Sequence, residues 1–387
     1  MAGSALADMC SSTLLSGLII AAVLVWFFSC YWRRKHSAAA ALPLPPGPFA
    51  WPLVGSLPAM WRSKPRYRWI HTIVEDLNTE IACIRLGKTH VIPISDYVPI
   101  LKVFDLDGHG RVVEKALNVI RKYEEPIIDE RVQQWRNGER REPEDMLDIF
   151  ISLEGDNGEP LLSVEEIKAQ ITELLLATVD NPSNAVEWAL AEMLNQPEIL
   201  RRAAAEIDTV VGKCRLVQES DLPSLKFLTA CAREALRLHP IAPFNLPHIA
   251  TADAAVAGYF IPKGSHILLS RLGLGRNPRI WANPARFDPD RHLRDSSVDL
   301  GLAEPDLRFI TFTRGRRGCM GGTLGTAITM MLLARLVQAF HWRLPPGVAA
   351  IDLSESDQLF LKNPLHAFAE PRFPESLYPT GEKQKLS

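Results

Sequence analysis

A run of helical spacing that begins at Ser163 constrains this chain more than any other feature. Ser163-Val-Glu-Glu166 reads as a capping box, in which the serine hydroxyl and the glutamate carboxylate satisfy free amides of a first helical turn. Ile167, Ile171, Leu174, Leu175 and Thr178 follow at helical spacing, and the pattern continues to about Asn195, roughly 33 residues. At 1.5 Å per residue such a helix is about 50 Å long, well beyond the usual three or four turns, so only a large helical body can cover it. Pro182 lies inside the run and removes one backbone donor, which predicts a kink or a local opening. The Asp180-Asn181-Pro182 step puts polar groups at mid-helix. Two readings stay open: a kinked core helix with a solvated bend, and a helix crossing an active site.

The chain has 387 residues, 47% of them hydrophobic and 23% charged, and 43 Lys+Arg against 45 Asp+Glu leave a net charge of −2. These values exclude a disordered chain, a collagen-like repeat and a polybasic nucleic-acid binder, so no nucleic-acid partner is expected. At this length about three quarters of the unfolded surface is available for burial. The cysteines at 10, 30, 83, 214, 231 and 319 are scattered, with no C-x-x-C pair, which argues against a disulfide framework or a structural zinc site.

Residues 13–32 form an uncharged run rich in Leu, Ile, Val, Ala and Phe, long enough to span a bilayer, which takes about 20 residues. The run ends in Tyr31-Trp32 and is followed by Arg33-Arg34-Lys35, while the only charged side chain before it is Asp8. This asymmetry predicts a retained anchor with the rest of the chain in the cytosol. A cleaved signal peptide carries its charge ahead of a shorter apolar stretch. Residues 33–48, basic and then proline-rich, read as a stiff hinge. Residues 49–387 read as one helix-rich domain with a little sheet. Helices are expected over 67–77, 112–135, 144–153, 197–211, 224–238 and 324–340, and short strands over 81–86, 90–94, 256–260 and 266–269. The second strand pair is expected to turn at Ile261-Pro-Lys-Gly264. Residues 272–312 are a long irregular stretch, which is uncommon unless functional.

The strongest chemical signal is Phe312-Thr-Arg-Gly315-Arg-Arg317-Gly-Cys319-Met-Gly321, a glycine-rich loop holding one cysteine just before an apolar helix. A thiolate is stabilised near a helix N-terminus, where amides point outward. Gly315 permits a tight turn and Gly321 a close approach. Taken alone, the pattern favours a buried, inert cysteine near a basic surface loop.

The spacing Phe-x-x-Gly-x-Arg-x-Cys-x-Gly resembles the haem-binding loop of the cytochrome P-450 superfamily. The resemblance implies that Cys319 is the axial thiolate of haem iron, that Arg317 contacts a haem propionate and that Phe312 packs near the thiolate. Glu234-Ala-Leu-Arg237 is similar to the family's Glu-x-x-Arg, and Pro284-x-x-Phe287-x-Pro289-x-Arg291 to its partner motif, which implies a buried structural triad of Glu234, Arg237 and Arg291. The long helix resembles the oxygen-activating helix. Asp180 keeps the family's acid, whereas Asn181 and Pro182 replace the alcohols that relay protons; asparagine can instead order a water.

That departure, together with Pro243-Phe-Asn-Leu-Pro-His248 and Ser270-Arg-Leu-Gly-Leu-Gly-Arg-Asn-Pro278, resembles the plant amino-acid N-monooxygenases, which convert an amino acid to its aldoxime, with tyrosine the favoured substrate. The resemblance implies two N-hydroxylations followed by loss of water and carbon dioxide, as a first step towards cyanogenic glucosides or related defence compounds. It also implies haem b (iron protoporphyrin IX), O2, electrons from NADPH through a reductase, and a single-pass anchor in the endoplasmic reticulum membrane. His248 then stands where relatives hold a propionate, and Phe244 and Asn245 face substrate.

The implied fold is mainly α with small β-sheets, a haem-thiolate monooxygenase fold lacking several helices of its N-terminal half. The family carries a Trp-x-x-x-Arg helix after its first strand pair, and this chain has none in a helical context. An internal deletion is therefore expected near 93–97. A non-catalytic shortened relative and a C-hydroxylase remain the competing readings, and the missing relay alcohol argues against the second.

Overall fold

The capping box forms as the spacing predicts. Ser163 Oγ accepts from Glu166 N at 3.3 Å, and the Glu166 carboxylate accepts from Ser163 N at 2.9 Å. In the computed structural model, described over residues 42–51, 55–86, 89–91, 109–294, 301–304, 306–313 and 315–378, the elements in chain order are α1 (Leu57–Arg62), α2 (Arg66–Asp76), β1 (Ile84–Leu86), β2 (Thr89–Val91), α3 (His109–Arg136), α4 (Met146–Ser152), α5 (Val164–Asn195), α6 (Pro197–Val210), α7 (Lys226–Leu238), β3 (His248–Ile249), β4 (Ala254–Val256), β5 (Tyr259–Ile261), β6 (His266–Ile267), α8 (Arg271–Gly275), α9 (Gly322–Ala339), β7 (Phe340–Arg343) and β8 (Phe368–Pro371). The expected anchor at 13–32 and the expected deletion near 93–97 lie outside the described residues.

Two compact units divide the chain, one comprising residues 1–94 and 247–267, the other 95–246 and 268–387. In the first unit the sheet order is β1-β2-β6-β3: β1 and β2 are antiparallel, Val91 pairs in parallel with His266, and His248 pairs with Ile267. Of the expected hinge at 33–48, residues 33–41 lie outside the described residues. Pro43 O accepts from Phe260 N at 2.9 Å and Pro46 O from Cys83 N at 2.7 Å. Prolines cannot donate, but their carbonyls still accept, and these two bonds tie residues 43–46 into the unit. The β4–β5 hairpin also differs from expectation. Its turn is Ala257-Gly258, with φ of +48° and +80°, the positive pair that a two-residue hairpin requires. The Gly264 signal marks the separate turn before β6.

In the second unit, the C-terminal part of α5 (Ala185, Val186, Ala189, Met193) packs with α7 (Leu228, Cys231, Ala232, Ala235) and α9 (Met330, Leu333, Ala334, Val337) in the main core. A smaller cluster joins Ile128 and Val132 of α3 to Ile167 of α5. α5 runs without interruption through Pro182, so the expected local opening is absent. One donor is lost, but neighbouring side chains bond back along the helix: Thr178 Oγ1 to Leu174 O at 2.7 Å, Asn181 Nδ2 to Ala177 O at 3.0 Å and Ser183 Oγ to Val179 O at 2.7 Å. Such back-bonding shares carbonyls with the backbone ladder, and none of these bonds reaches Thr178 O, the carbonyl that the missing Pro182 N–H leaves without its helical donor.

α9 is the one helix among the described residues long and apolar enough to cross a membrane by length and composition. Met330, Leu333, Ala334 and Val337 on one part of it pack into the main core.

Candidate active site

The cysteine loop is built by backbone bonds. Cys319 N donates to Phe312 O at 2.8 Å and Gly318 N to Gly315 O at 3.0 Å, with Gly315 at φ +71°. Thr313 Oγ1 donates to Arg317 O at 3.1 Å. The loop delivers Cys319 and then Gly321, the N-cap of α9. Phe312 lies against the start of that helix: a Cβ at Gly322 would meet its ring at an ordinary 3.6 Å, whereas one at Gly325 would come within a tight 3.3 Å, so the glycine at 325 lets the ring seat closely. A Cβ at Gly321 would meet Cys319 Sγ at an ordinary 3.9 Å. Cys319 and Arg317 are exposed. Cys231 provides the contrast, because burial pushes its thiol well above the ordinary range, as expected of an inert core cysteine.

A second strip pairs residues 243–246 with 269–271. Phe244 forms a bridge with Ser270, Arg271 N donates to Pro243 O at 2.9 Å, and Asn245 N donates to Leu269 O at 3.1 Å. Asn245 is buried, its Nδ2 donates to Leu246 O at 2.8 Å and its Oδ1 accepts from Leu269 N. Both ends of its amide are therefore engaged by backbone, and the side chain braces the strip. Arg271, which sequence reasoning did not single out, carries a buried Nε with no hydrogen-bond partner. Burial pushes its guanidinium down, and the charge of Cys319 pulls it back up. The available signal was a lone charge inside Leu268-Leu269-Ser270-Arg271-Leu272.

Asp180 and Asn181 are exposed on α5, beside Leu175, Leu176 and Val179, which are also exposed. His248 belongs to the first unit, half-buried on β3.

The structure brings Glu234, Arg237 and Arg291 together. Arg237 Nε and Nη2 donate to the two Glu234 oxygens at 2.8 and 2.7 Å, and Arg291 Nε donates to Glu234 Oε1 at 2.8 Å. His292 Nε2 lies 2.8 Å from Glu234 Oε2, a fourth member that the motif spacing did not reveal. Arg237 also donates to the carbonyls of Gly275, Pro284 and Arg286, so all five of its N–H groups are used. Burial alone would raise Glu234, but hydrogen bonds from Arg237 and His292 outweigh it and hold the carboxyl at about 2.

Among the described residues no group of three or more His, Cys, Asp and Glu side chains converges on a metal position. A metal held by Cys319 must bring its other ligands with it, as an iron porphyrin does. An exposed thiol on a glycine-cradled loop at a helix start, with a cation nearby, fits that group.

A cytochrome P450 family model matches residues 71–369, and the chain belongs to that family. Among its relatives, a tryptophan N-monooxygenase from Prunus mume is 42% identical, with 94% of this chain and 97% of the relative aligned. A tyrosine N-monooxygenase from Sorghum bicolor is 53% identical over 308 residues, 79% of this chain and 55% of the relative. An isoleucine N-monooxygenase from Lotus japonicus is 53% identical over 310 residues, 80% of this chain and 57% of the relative. The chain thus sits in the amino-acid N-monooxygenase branch and is a monooxygenase using haem iron, with NADPH as the electron source typical of the family. The Prunus alignment extends over 518 positions, more than the 387 residues present here, so that relative carries a long stretch without a counterpart. A solved zebrafish cytochrome P450 is 27% identical, covers 56% of this chain and 49% of its own, and has a TM-score of 0.48.

Proposed function

We propose that this chain converts an L-amino acid, an aromatic one and tyrosine first, to its aldoxime. The observation that carries this reading is Asn181. The position next to the helix acid bears an amide bonded to Ala177 O, not a hydroxyl, within a chain 53% identical to a tyrosine N-monooxygenase over 308 residues. The balance is two O2 and two electron pairs consumed. The nitrogen is hydroxylated twice, one water leaves with each hydroxylation, and loss of carbon dioxide and a third water leaves the C=N–OH group.

Haem bound through Cys319 supplies the activation of O2. The protein's own groups do the rest. Phe312, seated on Gly322 and Gly325, shields the thiolate side. Arg317, exposed on the loop, offers a cation to a propionate. Asp180 and Asn181, both open to solvent on α5, hold a water that carries protons inward. Phe244 presents an apolar surface to the side chain of the substrate.

A membrane anchor at 13–32 in the endoplasmic reticulum and a membrane-bound NADPH-dependent reductase as partner complete the reading. We take the residues of the Prunus protein without a counterpart here to fall near 93–97.

The test uses the full chain in microsomes. After reduction and addition of carbon monoxide, a thiolate-haem Soret band is expected, and C319S should abolish it. Labelled Tyr, Phe, Trp, Val and Ile with reductase should give an aldoxime from Tyr foremost. A band without any aldoxime would overturn the reaction, and no band would overturn the active enzyme.

A further inference from the structure

α5 joins two packed bodies that share little else. Near its N-terminus, Ile167 packs with Ile128 and Val132 of α3, and Leu147, Phe150 and Ile151 of α4 lie against them. Near its C-terminus, Ala185, Val186, Ala189 and Met193 belong to the main core. The two clusters have no residue in common. Polar contacts divide in the same way. Asp148 of α4 is fully buried and is held by Arg131, Trp135 and Arg140. Lys168 pairs with Asp129 at 2.9 Å, and Thr172 Oγ1 bonds to Glu124. Among the described residues, no hydrogen bond or ion pair runs from residues 112–162 to any residue beyond Thr172.

Between the bodies α5 is unbraced and intrinsically weak. None of residues 168–181 is buried. Thr178-Val-Asp-Asn-Pro-Ser-Asn184 is an unbroken series of residues with modest or poor helix propensity. Pro182 gives Thr178 O no donor. Thr178, Asn181 and Ser183 each bond back to a carbonyl four residues earlier, a pattern that bends helices. Pro126 of α3 also removes a helical bond, but Glu124 and Ile128 beside it are both buried in one body, so nothing is free to turn about it. Pro182 lacks that brace, because it stands where burial resumes after the open stretch.

We propose that residues 178–184 are a hinge, about which α3, α4 and the first half of α5 swing as one body against the main core. Close packing makes each end move as a unit. The lost bond and the uncovered backbone make the middle of α5 the cheapest place to bend. Hinges of this kind concentrate a large motion in a few residues. Asp180 and Asn181 lie within the hinge, so each bend re-aims them. That last consequence rests on the aldoxime reading, whereas the hinge itself does not.

The test is pulsed electron paramagnetic resonance on the full chain, with spin labels carried by unnatural residues so that the native cysteines stay untouched. One pair of labels, at Gln133 on α3 and Ala205 on α6, spans the hinge. A second pair, at Gln133 and Glu165 of α5, lies within the moving body. All three positions are exposed. The distance distribution across the hinge is expected to be about twice as broad as the one within the body, and P182A, which restores the donor to Thr178 O, should narrow it. Hydrogen exchange gives a second reading: amides of residues 176–183 should exchange about tenfold faster than those of residues 164–171 in the same helix, and P182A should slow them. Equal widths for the two wild-type pairs would overturn the hinge, as would a P182A protein with an unchanged unfolding midpoint and an unchanged width. Should P182A fail to fold, the two wild-type distributions and the wild-type exchange profile still decide. An aldoxime-forming protein with equal widths would sink the hinge alone, and unequal widths in a protein that makes no aldoxime would leave the hinge standing without the reaction.

Discussion

Trp188 and His239 lie face to face, with 3.7 Å between ring centroids and 2° between ring planes. The stack joins α5 to the residue that caps α7, and polar bonds hold both rings. Trp188 Nε1 donates to Leu359 O at 3.0 Å, and His239 Nε2 lies 2.8 Å from Glu192 Oε1. Trp188→Phe would leave Leu359 O with only the long 3.5 Å bond from Asn184 Nδ2. A loss of about 2 kcal/mol is expected, read as a lower denaturant midpoint at unchanged slope, and an unmoved midpoint would show that the bond adds nothing.

Acid should destabilise the second unit through Glu234. Burial opposes its ionisation, but Arg237 and His292 hold its folded value at about 2, against an ordinary 4.5. A lowered carboxylate stabilises above its unfolded value and loses that contribution as pH falls towards its folded value. The contribution, about 3 kcal/mol by linkage, is therefore complete above about pH 5 and fades from there down to pH 2. His292 works in the same direction, because burial lowers its pKa below the ordinary 6.5, so protons bind it better in the unfolded chain. Unfolding midpoints measured from pH 7 to pH 3 should fall for the wild type. The same series in Glu234→Gln should start lower and be flatter, and parallel curves would sink the assignment.

Gly275 should tolerate no side chain. A Cβ there would overlap the Arg237 carbonyl oxygen, a backbone atom that has no rotamer to escape into, while the Gly275 carbonyl accepts from Arg237 Nη1. Gly275→Ala is expected to cost about 3 kcal/mol through overpacking and to lower soluble yield. Gly301, where a Cβ meets nothing within 4 Å, is the control, and an alanine there should be neutral.

Asn181 is expected to govern coupling between electron use and product. Removing its amide in Asn181→Ala takes away the group bonded to Ala177 O, and with it the proposed means of ordering a water. Aldoxime formation should fall about tenfold or more while NADPH consumption and haem content hold. Unchanged product per NADPH would remove Asn181 from proton handling.

Local signals were the most legible in the sequence. The Ser163 box, the spacing after it and the Glu234/Arg237 pair on one helix face all act within a single turn, where sequence distance and spatial distance coincide. Non-local satisfaction was hidden. Nothing in the proline run announced that Pro43 and Pro46 would accept bonds from Phe260 and Cys83. The hairpin turn fell on Ala257-Gly258 because strand pairing forced φ +48° on an alanine, a conformation that composition disfavours. Of the kink or opening expected at Pro182, the opening did not form, because the helix continues on both sides of the single lost bond. The cysteine loop was legible as a spacing, whereas His292 became visible only once the chain had folded around Glu234.

The five matched donors of Arg237 also set an order of events in folding. Its acceptors come from its own helix, from the Gly275 turn and from residues 284–286, so the guanidinium cannot leave water profitably until all three have arrived. The charge is thus dehydrated late, after the transition state, and rehydrated early when the native state opens. Interactions formed on that side of the barrier alter the rate of escape far more than the rate of entry. For Glu234→Gln the expected outcome in stopped-flow kinetics is a steeply faster unfolding limb with refolding almost unchanged. The network therefore acts chiefly as a latch on the lifetime of the folded state.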